Sequence, residues 1–351
     1  MNDELTLVKL ENLLTAPFYL CVTKKYKRFL IKKTLQKAGN FKSLARLLEC
    51  APSSIRYIKL NESSHINALL LKRMLDLLNI PIYQAEKHVV SVRRGCSNRA
   101  VNLRLPIQSR PELALLLAKT FGDGGISSDW RFHYTNNQLN LMREVINAVN
   151  VSIGESKCLL HYRLNRKIYE MKFSPVIGFI LNFIGGPKGF KVHQGFKIPD
   201  WIMNGDKLVK SAFLRGIFDD ESTVNHSSMR IRRILLAMSK IKIYEKSHKH
   251  FLKQIQTLLS EFTIQSSEIR MQYEYDDKIM LMFGIYKRSN FLNFQKFIDF
   301  THIKKRKILQ EMISDYIDKY KVKRAILRSV QASINPLTIK EIAALNKVSR
   351  D

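Results

Sequence analysis

The sequence lacks the features of a membrane-spanning, secreted or disulfide-stabilised protein. Its longest apolar run, Val176 to Gly186, is too short to cross a bilayer. The N-terminus carries acidic residues instead of a basic segment followed by a cleavage site, so no secretory signal is predicted. Cysteine is scarce and does not have zinc-finger spacing, which favours free thiols in a reducing compartment. The cysteines are Cys21, Cys50, Cys96 and Cys158.

Acidic residues are scarce relative to basic ones. The 351 residues include 59 lysines and arginines against 30 aspartates and glutamates, a net charge of +29, while 45% are hydrophobic. This hydrophobic content predicts a folded basic protein of roughly two to three domains and not a disordered tail. The default partner of such a charge is nucleic acid. A membrane surface is the alternative partner, but no amphipathic anchor or lipidation signal supports it.

A stretch that ends in an acid occurs twice, 98 positions apart, at residues 113–126 and 211–224. Small residues recur at every fourth position, which places them on one face of a helix where two backbones can pack closely. Such a pair would bring the terminal acids together, and paired carboxylates bind cations that can hydrolyse phosphodiesters. One copy alone could be a structural helix with Gly124 as its stop signal. The aligned pairs are Ala114 with Ala212, Leu116 with Leu214, Ala118 with Gly216, and Asp123 with Glu221.

These stretches resemble the two LAGLIDADG motifs of the homing endonuclease family, in its single-chain form with two fused half-domains. Residues 121–126 and 216–224 match the acidic motif ends, and the resemblance extends over about residues 104–320. Segments 103–107 and 185–189 are similar to archaeal members. Phe121 stands where the first motif usually has an acid, and Ser222 where the second usually has a glycine. The resemblance implies that Asp123 and Glu221 are the catalytic, metal-binding acids.

The resemblance and the hydrophobic patterning predict an α+β protein. We expect a pseudo-twofold pair of αββαββα LAGLIDADG half-domains with an all-α, helix-turn-helix-like domain before them, in a monomer with internal symmetry. The last segment resembles the opening of another helix-turn-helix. The predicted divisions are a helical DNA-binding domain at 1–88, a basic linker at 89–106, half-domains at 107–203 and 204–320, and a helical tail at 321–351.

The N-terminal region predicts a small helical DNA-binding module. Apolar periodicity and turn residues indicate helices at 26–37, 41–49, 53–60 and 66–78. Residues 43–56 resemble a helix-turn-helix, in which a polar recognition helix follows a short turn. An ordinary small helical bundle is the alternative. The DNA-facing candidates on the predicted recognition helix are Ser54, Arg56, Tyr57 and Lys59.

Basic side chains on predicted strands give further DNA-binding candidates. Alternation at 130–135 indicates one strand, and others are predicted at 157–164, 167–173, 229–237, 267–275 and 278–285. Two-stranded ribbons fit the major groove, where arginine can pair with guanine. A solvated or phosphate-contacting role is the alternative for each residue. The candidates are Arg131, His133, His161, Arg163, Arg230 and Arg232, together with Lys188 and Lys191 near the Gly-Gly-Pro segment.

Two lysines are predicted near the scissile phosphate. Lys287 follows the strand at 278–285 and precedes a helix, which resembles the position of a basic residue of the family. Lys172 occupies roughly the matching place in the first half. A lysine in this position could stabilise charge on the phosphate or help to position the attacking water.

The predicted function is site-specific cleavage of both strands of a long double-stranded DNA site with Mg²⁺ or Mn²⁺. Asp123 and Glu221 would hold the metal, and each strand's phosphate would meet one half. Two alternatives use the same fold: a non-cleaving DNA-binding transcriptional regulator and an RNA-binding, maturase-like protein. We expect a cytoplasmic location, associated with the nucleoid when DNA is bound, and no membrane partner.

Overall fold

The computed structural model describes residues 5–61, 63–95, 100–227 and 231–332. Its N-terminal region alternates short strands with helices. The four predicted helices are present, each within a few residues of its predicted bounds. The elements are β1 (Thr6–Val8), α1 (Leu10–Leu14), β2 (Phe18–Val22), α2 (Lys24–Ala38), α3 (Phe41–Leu47), α4 (Pro52–Leu60), β3 (Ile66–Asn67), α5 (Ala68–Leu77), α6 (Ile82–Glu86), β4 (Val89–Arg94), β5 (Val101–Leu103) and β6 (Ile107–Gln108).

The first half-domain contains the first motif helix, α7, followed by four strands that form one antiparallel sheet. The order in this sheet is β10-β11-β8-β7. Helices α8 and α9 pack on it through buried residues such as Val145 and Ile177. The elements are α7 (Pro111–Phe121), β7 (Gly124–Ile126), β8 (Phe132–Asn136), α8 (Leu139–Ser152), β9 (Gly154–Ser156), β10 (Leu159–Arg163), β11 (Ile168–Lys172), α9 (Pro175–Phe183) and α10 (Asp200–Met203).

The second half-domain repeats this plan. Its sheet has the order β12-β13-β15-β14, so corresponding strands occupy corresponding places in the two sheets. Each motif helix is followed directly by the strand at one sheet edge, and in each half the second hairpin supplies the opposite edge. The elements are α11 (Lys207–Glu221), β12 (Ser222–Ser227), β13 (Ile231–Ile241), α12 (Glu245–Ser260), β14 (Arg270–Tyr275), β15 (Lys278–Ile285), α13 (Arg288–Phe297) and α14 (Ile303–Ala332).

This duplicated helix–hairpin order confirms the predicted α+β fold with two αββαββα halves. The hydrophobic core is continuous and includes the inner faces of both sheets and both motif helices. No helix within the described part of the chain is both long and apolar enough to cross a membrane.

The prediction of an all-α N-terminal domain followed by a basic linker is wrong. A five-stranded sheet of order β3-β2-β4-β5-β9 joins strands from the N-terminal region, the predicted linker and the first half-domain. Phe18 on β2 also packs edge-on against Phe179 on α9, with ring centroids 5.0 Å apart. A boundary at residue 88 therefore cuts through one sheet. These strands were not predicted because β4 contains two arginines and β5 is only three residues long. Their pairing partners are also distant in sequence.

The predicted boundary at residue 320 lies inside α14, which runs from Ile303 to Ala332. The rest of the predicted tail, residues 333–351, lies outside the described residues, and so does the proposed opening of a second helix-turn-helix.

A buried histidine in the second half-domain should make folding stability depend on pH. The Nε2–H of His248 on α12 donates to the Met238 carbonyl at 2.9 Å, whereas its Nδ1 finds no partner among the described residues. Burial lowers the pKa of His248 from 6.5 to about 4. Since the unfolded chain then takes up this proton at higher pH than the folded one, stability should fall as pH drops from about 6.5 to about 4, by on the order of 2 kcal/mol.

Denaturant unfolding at several pH values measures this loss, with His248→Gln as the control. Glutamine can keep a donor for the Met238 carbonyl but does not titrate. The variant should show a shallower decline in stability below about pH 6.5. An identical slope in both proteins would show that His248 is not responsible.

Candidate active site at the ends of the motif helices

The two motif helices pack against each other at their small residues. A Cβ added to Gly216 would lie 2.6 Å from the Cβ of Ala118 and 3.1 Å from the carbonyl oxygen of Leu115. Real Cβ atoms do not approach so closely, so Gly216 allows the backbones to touch. The predicted contact between the aligned residues Ala118 and Gly216 is therefore present, and α7 and α11 end side by side.

Replacing Gly216 by Ala should destabilise the protein by about 1–3 kcal/mol, because the new methyl group overpacks this contact. The double substitution Ala118→Gly with Gly216→Ala should recover part of the loss, since it removes the opposing methyl group. Thermal or denaturant unfolding of both variants measures the effect. Equal stability of Gly216→Ala and the wild type would contradict this packing.

The structure brings the two predicted acids within electrostatic reach of each other. Burial raises the pKa of Glu221 to about 7; the charge of Lys191 opposes this shift and that of Asp123 adds to it. Loss of hydration next to the surrounding protein atoms and, to a smaller extent, the charge of Asp220 raise the pKa of Asp123 to about 6. The Asp123 side chain stays accessible, and one of its oxygens accepts a hydrogen bond from Asn136 Nδ2 at 2.8 Å. Two carboxylates with raised pKa values favour a positive ligand between them.

A third acid, Asp220, connects the two motifs and was not predicted from the sequence. Its Oδ1 accepts hydrogen bonds from Lys119 Nζ and from the Tyr134 hydroxyl, both at 2.8 Å. Its Oδ2 accepts the main-chain N–H of Asp123 at 3.0 Å. The side chains of Lys119 and Asp220 are fully buried. The pair therefore crosses the interface between the halves next to the two predicted acids.

At the end of each motif helix, a lysine from elsewhere in the chain donates hydrogen bonds to main-chain carbonyl groups. Lys305 Nζ donates to the carbonyls of Phe218 at 3.1 Å and Asp219 at 2.6 Å, at the end of α11. Lys191 Nζ donates to the carbonyls of Phe121, Gly122 and Gly124 at the end of α7. Burial lowers the pKa values of both lysines. Lys191 was predicted to bind DNA, but in the structure its ammonium group donates hydrogen bonds to main-chain carbonyls of the protein itself.

Asp219 explains why a second acid precedes Glu221. Its carboxylate accepts hydrogen bonds from the main-chain N–H groups of His302 at 2.9 Å and Thr301 at 3.3 Å, just before α14 begins.

Ser222, which follows Glu221, has extended backbone angles, and its hydroxyl donates to the Phe218 carbonyl. A serine at a position where the motif that it resembles usually has a glycine therefore fits the end of α11 without strain.

Lys240 is a further basic residue of this region that sequence reasoning missed. Its Nζ lies 3.0 Å from the centroid of the Phe196 ring and donates to the Lys191 carbonyl. Burial and the charge of Lys191 lower the pKa of Lys240 to about 7, and Glu221 opposes this shift. Its position on β13 was obscured because the other lysines around it gave no reason to single it out.

The two predicted phosphate-side lysines lie elsewhere. Lys172 pairs with Glu170 at 3.1 Å on β11. Lys287 is exposed at the start of α13 with a positive φ of 70°. The lysines with the largest electrostatic effect on the two acids are Lys119, Lys191 and Lys305. The roles of Lys172 and Lys287 stay predictions.

The DNA-binding candidates of the two sheets are partly engaged in ion pairs. Arg131 pairs with Asp129 at 2.9 Å, Arg163 donates to Glu170 at 2.7 Å, and Arg232 pairs with Asp315 at 3.0 Å. Pairs that are exposed to water contribute little and can be exchanged for phosphate contacts. His161 is exposed, His133 is half-buried, and Lys188 Nζ lies 3.6 Å above the Trp130 ring. Arg230 lies outside the described residues.

The candidates of the predicted recognition helix lie on α4. Arg56 and Lys59 are exposed and sit 5.8 Å and 5.3 Å from the centroid of the Phe41 ring on α3. Ser54 is half-buried at the start of the same helix. The short connection between α3 and α4 is compatible with a helix-turn-helix, which stays a prediction.

The donor set suits a cation that keeps most of its own water or phosphate ligands. Among the described residues, no group of three or more aspartate, glutamate, histidine or cysteine side chains is arranged to enclose a metal. Mg²⁺ is commonly held by only one or two carboxylates together with substrate phosphates. Asp123 and Glu221 fit such an open site and do not form a closed structural one.

Comparisons with known proteins place a family domain on the second half. Residues 208–299 match the family model of the LAGLIDADG-like domain. The chain is 34% identical over 88 residues to a replication factor C small subunit and 27% identical over 183 residues to a tRNA-splicing ligase RtcB, both from Methanocaldococcus jannaschii. These matches cover 25% and 50% of this chain but 5% and 18% of the relatives. The chain thus spans a small part of the curated relatives it matches.

Two solved structures have similar chains. Mesophilic variants of the homing endonuclease I-DmoI are 17% identical, with a TM-score of 0.36, over 54% of this chain and 88% of theirs. Full-length DUF199/WhiA from Thermatoga maritima is 13% identical, with a TM-score of 0.36, over 68% of this chain and 86% of its own.

Proposed function

We propose that the chain, whose residues 208–299 match the LAGLIDADG-like domain, is a metal-dependent DNA endonuclease that cuts both strands of a specific double-stranded site. One observation carries the proposal. The main-chain N–H of Asp123 donates to Asp220, the residue before Glu221, at 3.0 Å, so an acid from each half lies at the ends of two helices in backbone contact. Structural packing alone explains the small residues but gives no reason for placing an acid of each motif at this contact.

In this proposal the two acids hold Mg²⁺ or Mn²⁺, which when bound would activate water and stabilise charge on the scissile phosphates. The chain's own residues fix the two carboxylates. Asn136 orients Asp123 by a hydrogen bond of 2.8 Å, and Lys191 and Lys305 hold the ends of the two motif helices. We propose Lys240, whose charge acts on Glu221, as a further basic residue near the second acid.

The two sheets and α4 are the proposed DNA-binding surfaces. The edge strands β10 and β14 are exposed along their whole length. Arg163 and His161 lie on β10, and the net charge of +29 favours a polyanion. Because both halves lie in one chain, we propose that a monomer binds the DNA and that each of its two pseudo-twofold-related halves contacts one strand.

The test separates binding from cutting. Duplexes with a random central region are selected on the full-length protein in Ca²⁺, the bound site is cloned, and Mg²⁺ is then added to the complex. We expect one recurring sequence to be bound, and both of its strands to be cut only after Mg²⁺ is added. A site that is bound but remains intact in Mg²⁺ and in Mn²⁺ would overturn the nuclease proposal.

A non-cleaving DNA-binding protein is the second candidate, and the charge balance of the site favours it. The acids Asp123, Asp219, Asp220 and Glu221 share their surroundings with Lys119, Lys191, Lys240 and Lys305. The region is therefore close to neutral without a metal. In this case the same selection would recover a site that the protein protects, and Mg²⁺ would change neither its affinity nor its integrity.

A further inference from the structure

We propose that Asp220 is a positioning residue that fixes the main chain of Asp123 across the interface between the halves, with Lys119 and Tyr134 holding its carboxylate in place. The inference rests on the proposed endonuclease function for its catalytic consequence. Its structural content is independent of that function, because it concerns one hydrogen bond, from the Asp123 N–H to Asp220 Oδ2 at 3.0 Å.

The two acids are attached to their helices differently, and this difference creates the need for Asp220. Helix α11 includes Glu221 as its last residue, so the second acid is fixed by its own helix. Helix α7 ends at Phe121, and Gly122 after it has non-helical backbone angles of −89° and −128°. Asp123 therefore lies beyond the helical ladder, and its N–H reaches across to the other motif instead.

The absence of a side chain at Gly122 is what allows Asp220 to reach the end of α7. A Cβ at position 122 would lie 2.5 Å from both the Cβ and the Oδ2 of Asp220. Any larger residue there would push this carboxylate away from the Asp123 N–H. In the aligned motifs position 122 corresponds to 220, so the glycine of one copy accommodates the aspartate of the other.

The carboxylate of Asp220 is held firmly enough to act as a positioning group. It is fully buried with Lys119, whose Nζ also donates to the Gly216 carbonyl at 3.4 Å. Burial alone would lower the pKa of Lys119, but the charges of Asp220 and Asp219 raise it above its ordinary value. Burial and the charge of Asp220 raise the pKa of Tyr134, so its hydroxyl stays a donor. A buried ion pair needs such additional hydrogen bonds to offset its desolvation.

The first test measures the hydrogen bond itself. Hydrogen exchange of the Asp123 amide is followed by NMR, or by mass spectrometry on peptides that span residues 121–126, in the full-length wild type and in Asp220→Asn. We expect exchange at Asp123 to be at least tenfold faster in the variant. Tyr134→Phe is the matched control, because it removes one hydrogen bond from Asp220 without touching the Asp123 contact, and it should change exchange much less. Because asparagine keeps one acceptor oxygen, Lys119→Met with Asp220→Leu, which has none, is measured beside it, and unchanged exchange in both proteins overturns the proposal.

The second test measures the catalytic consequence on a plasmid with the selected site. Asp220 is hydrogen-bonded to the main chain of Asp123, whereas Glu221 is fixed by its own helix. Asp220→Asn should therefore slow cleavage of one strand by about 10- to 100-fold, leave KM within threefold, and accumulate circles nicked in the other strand. A purely structural defect would lower the cleavage of both strands together. Equal slowing of both strands, or none, in a folded variant overturns the positioning role.

If Asp220→Asn does not fold, Lys119→Met with Asp220→Leu replaces the ion pair by apolar groups of similar size, an exchange that proteins often tolerate. It should show the same loss of amide protection and the same strand bias. If the wild type cuts no DNA, the proposed function has failed, and the exchange experiment still decides whether Asp220 fixes Asp123.

Discussion

Raising the salt concentration from about 50 to about 200 mM is expected to weaken DNA binding by roughly 10³-fold or more. The chain has a net charge of +29, and exposed basic residues lie on the proposed binding surfaces of β10 and α4. Each phosphate contact releases condensed counterions from the DNA, so affinity falls steeply as salt is added. Fluorescence anisotropy of a labelled duplex with the selected site, in Ca²⁺ to prevent cleavage, measures the dependence.

Single substitutions distinguish the loss of a phosphate contact from a change in the net charge of the protein. Arg56→Gln and Lys59→Gln on α4 should each lower the steepness of the salt dependence by about one phosphate contact if α4 binds DNA. Glu311→Gln, an exposed acid on α14, is the control for a change in net charge alone. An affinity that does not change with salt would contradict a nucleic-acid ligand and would point to a different partner.

Asp123→Asn and Glu221→Gln are each expected to lower the rate of double-strand cleavage by about 10³-fold or more. Each change removes the charge of a proposed metal ligand, and a bound metal can supply several kcal/mol of transition-state stabilisation. DNA affinity should stay near that of the wild type or increase, because the acids repel the phosphates. Single-turnover cleavage with Mg²⁺ and anisotropy with Ca²⁺ measure the two quantities on the same duplex.

The Glu311→Gln protein is again the control, since it loses an exposed carboxylate that is not one of the motif acids and should cut at the wild-type rate. Unfolding curves exclude a folding defect as the cause of lost cleavage. Cleavage by either acid variant at the wild-type rate would show that Asp123 and Glu221 serve some other purpose.

The duplicated motif could be predicted because its information is local. Small residues four positions apart and a terminal acid define α7 and α11, and the in-register repeat predicts the pair. The same reasoning located most helices of both halves. It did not find β7 and β12, which directly follow the motifs, because Gly124–Ile126 is short and Ser222–Ser227 is largely polar.

The network around Asp220 could not be predicted from one sequence. Lys119 and Asp220 are separated by 101 positions, and each looks like an ordinary charged residue of its own motif. The available signal was their position inside otherwise apolar helix faces, where a charge requires a partner. The N-terminal sheet was missed for a related reason. β9 of the first half-domain pairs with β5 of the predicted linker, a contact that no local pattern reveals.

Sequencing of cut DNA ends tests most directly whether the paired acids cut DNA at a defined site. A random duplex library is incubated with the wild type in Mg²⁺, and in parallel with a protein carrying both Asp123→Asn and Glu221→Gln. We expect ends that recur at one sequence with the wild type and are missing with the variant. Recurring ends at that sequence with both proteins, or with neither, would contradict this expectation.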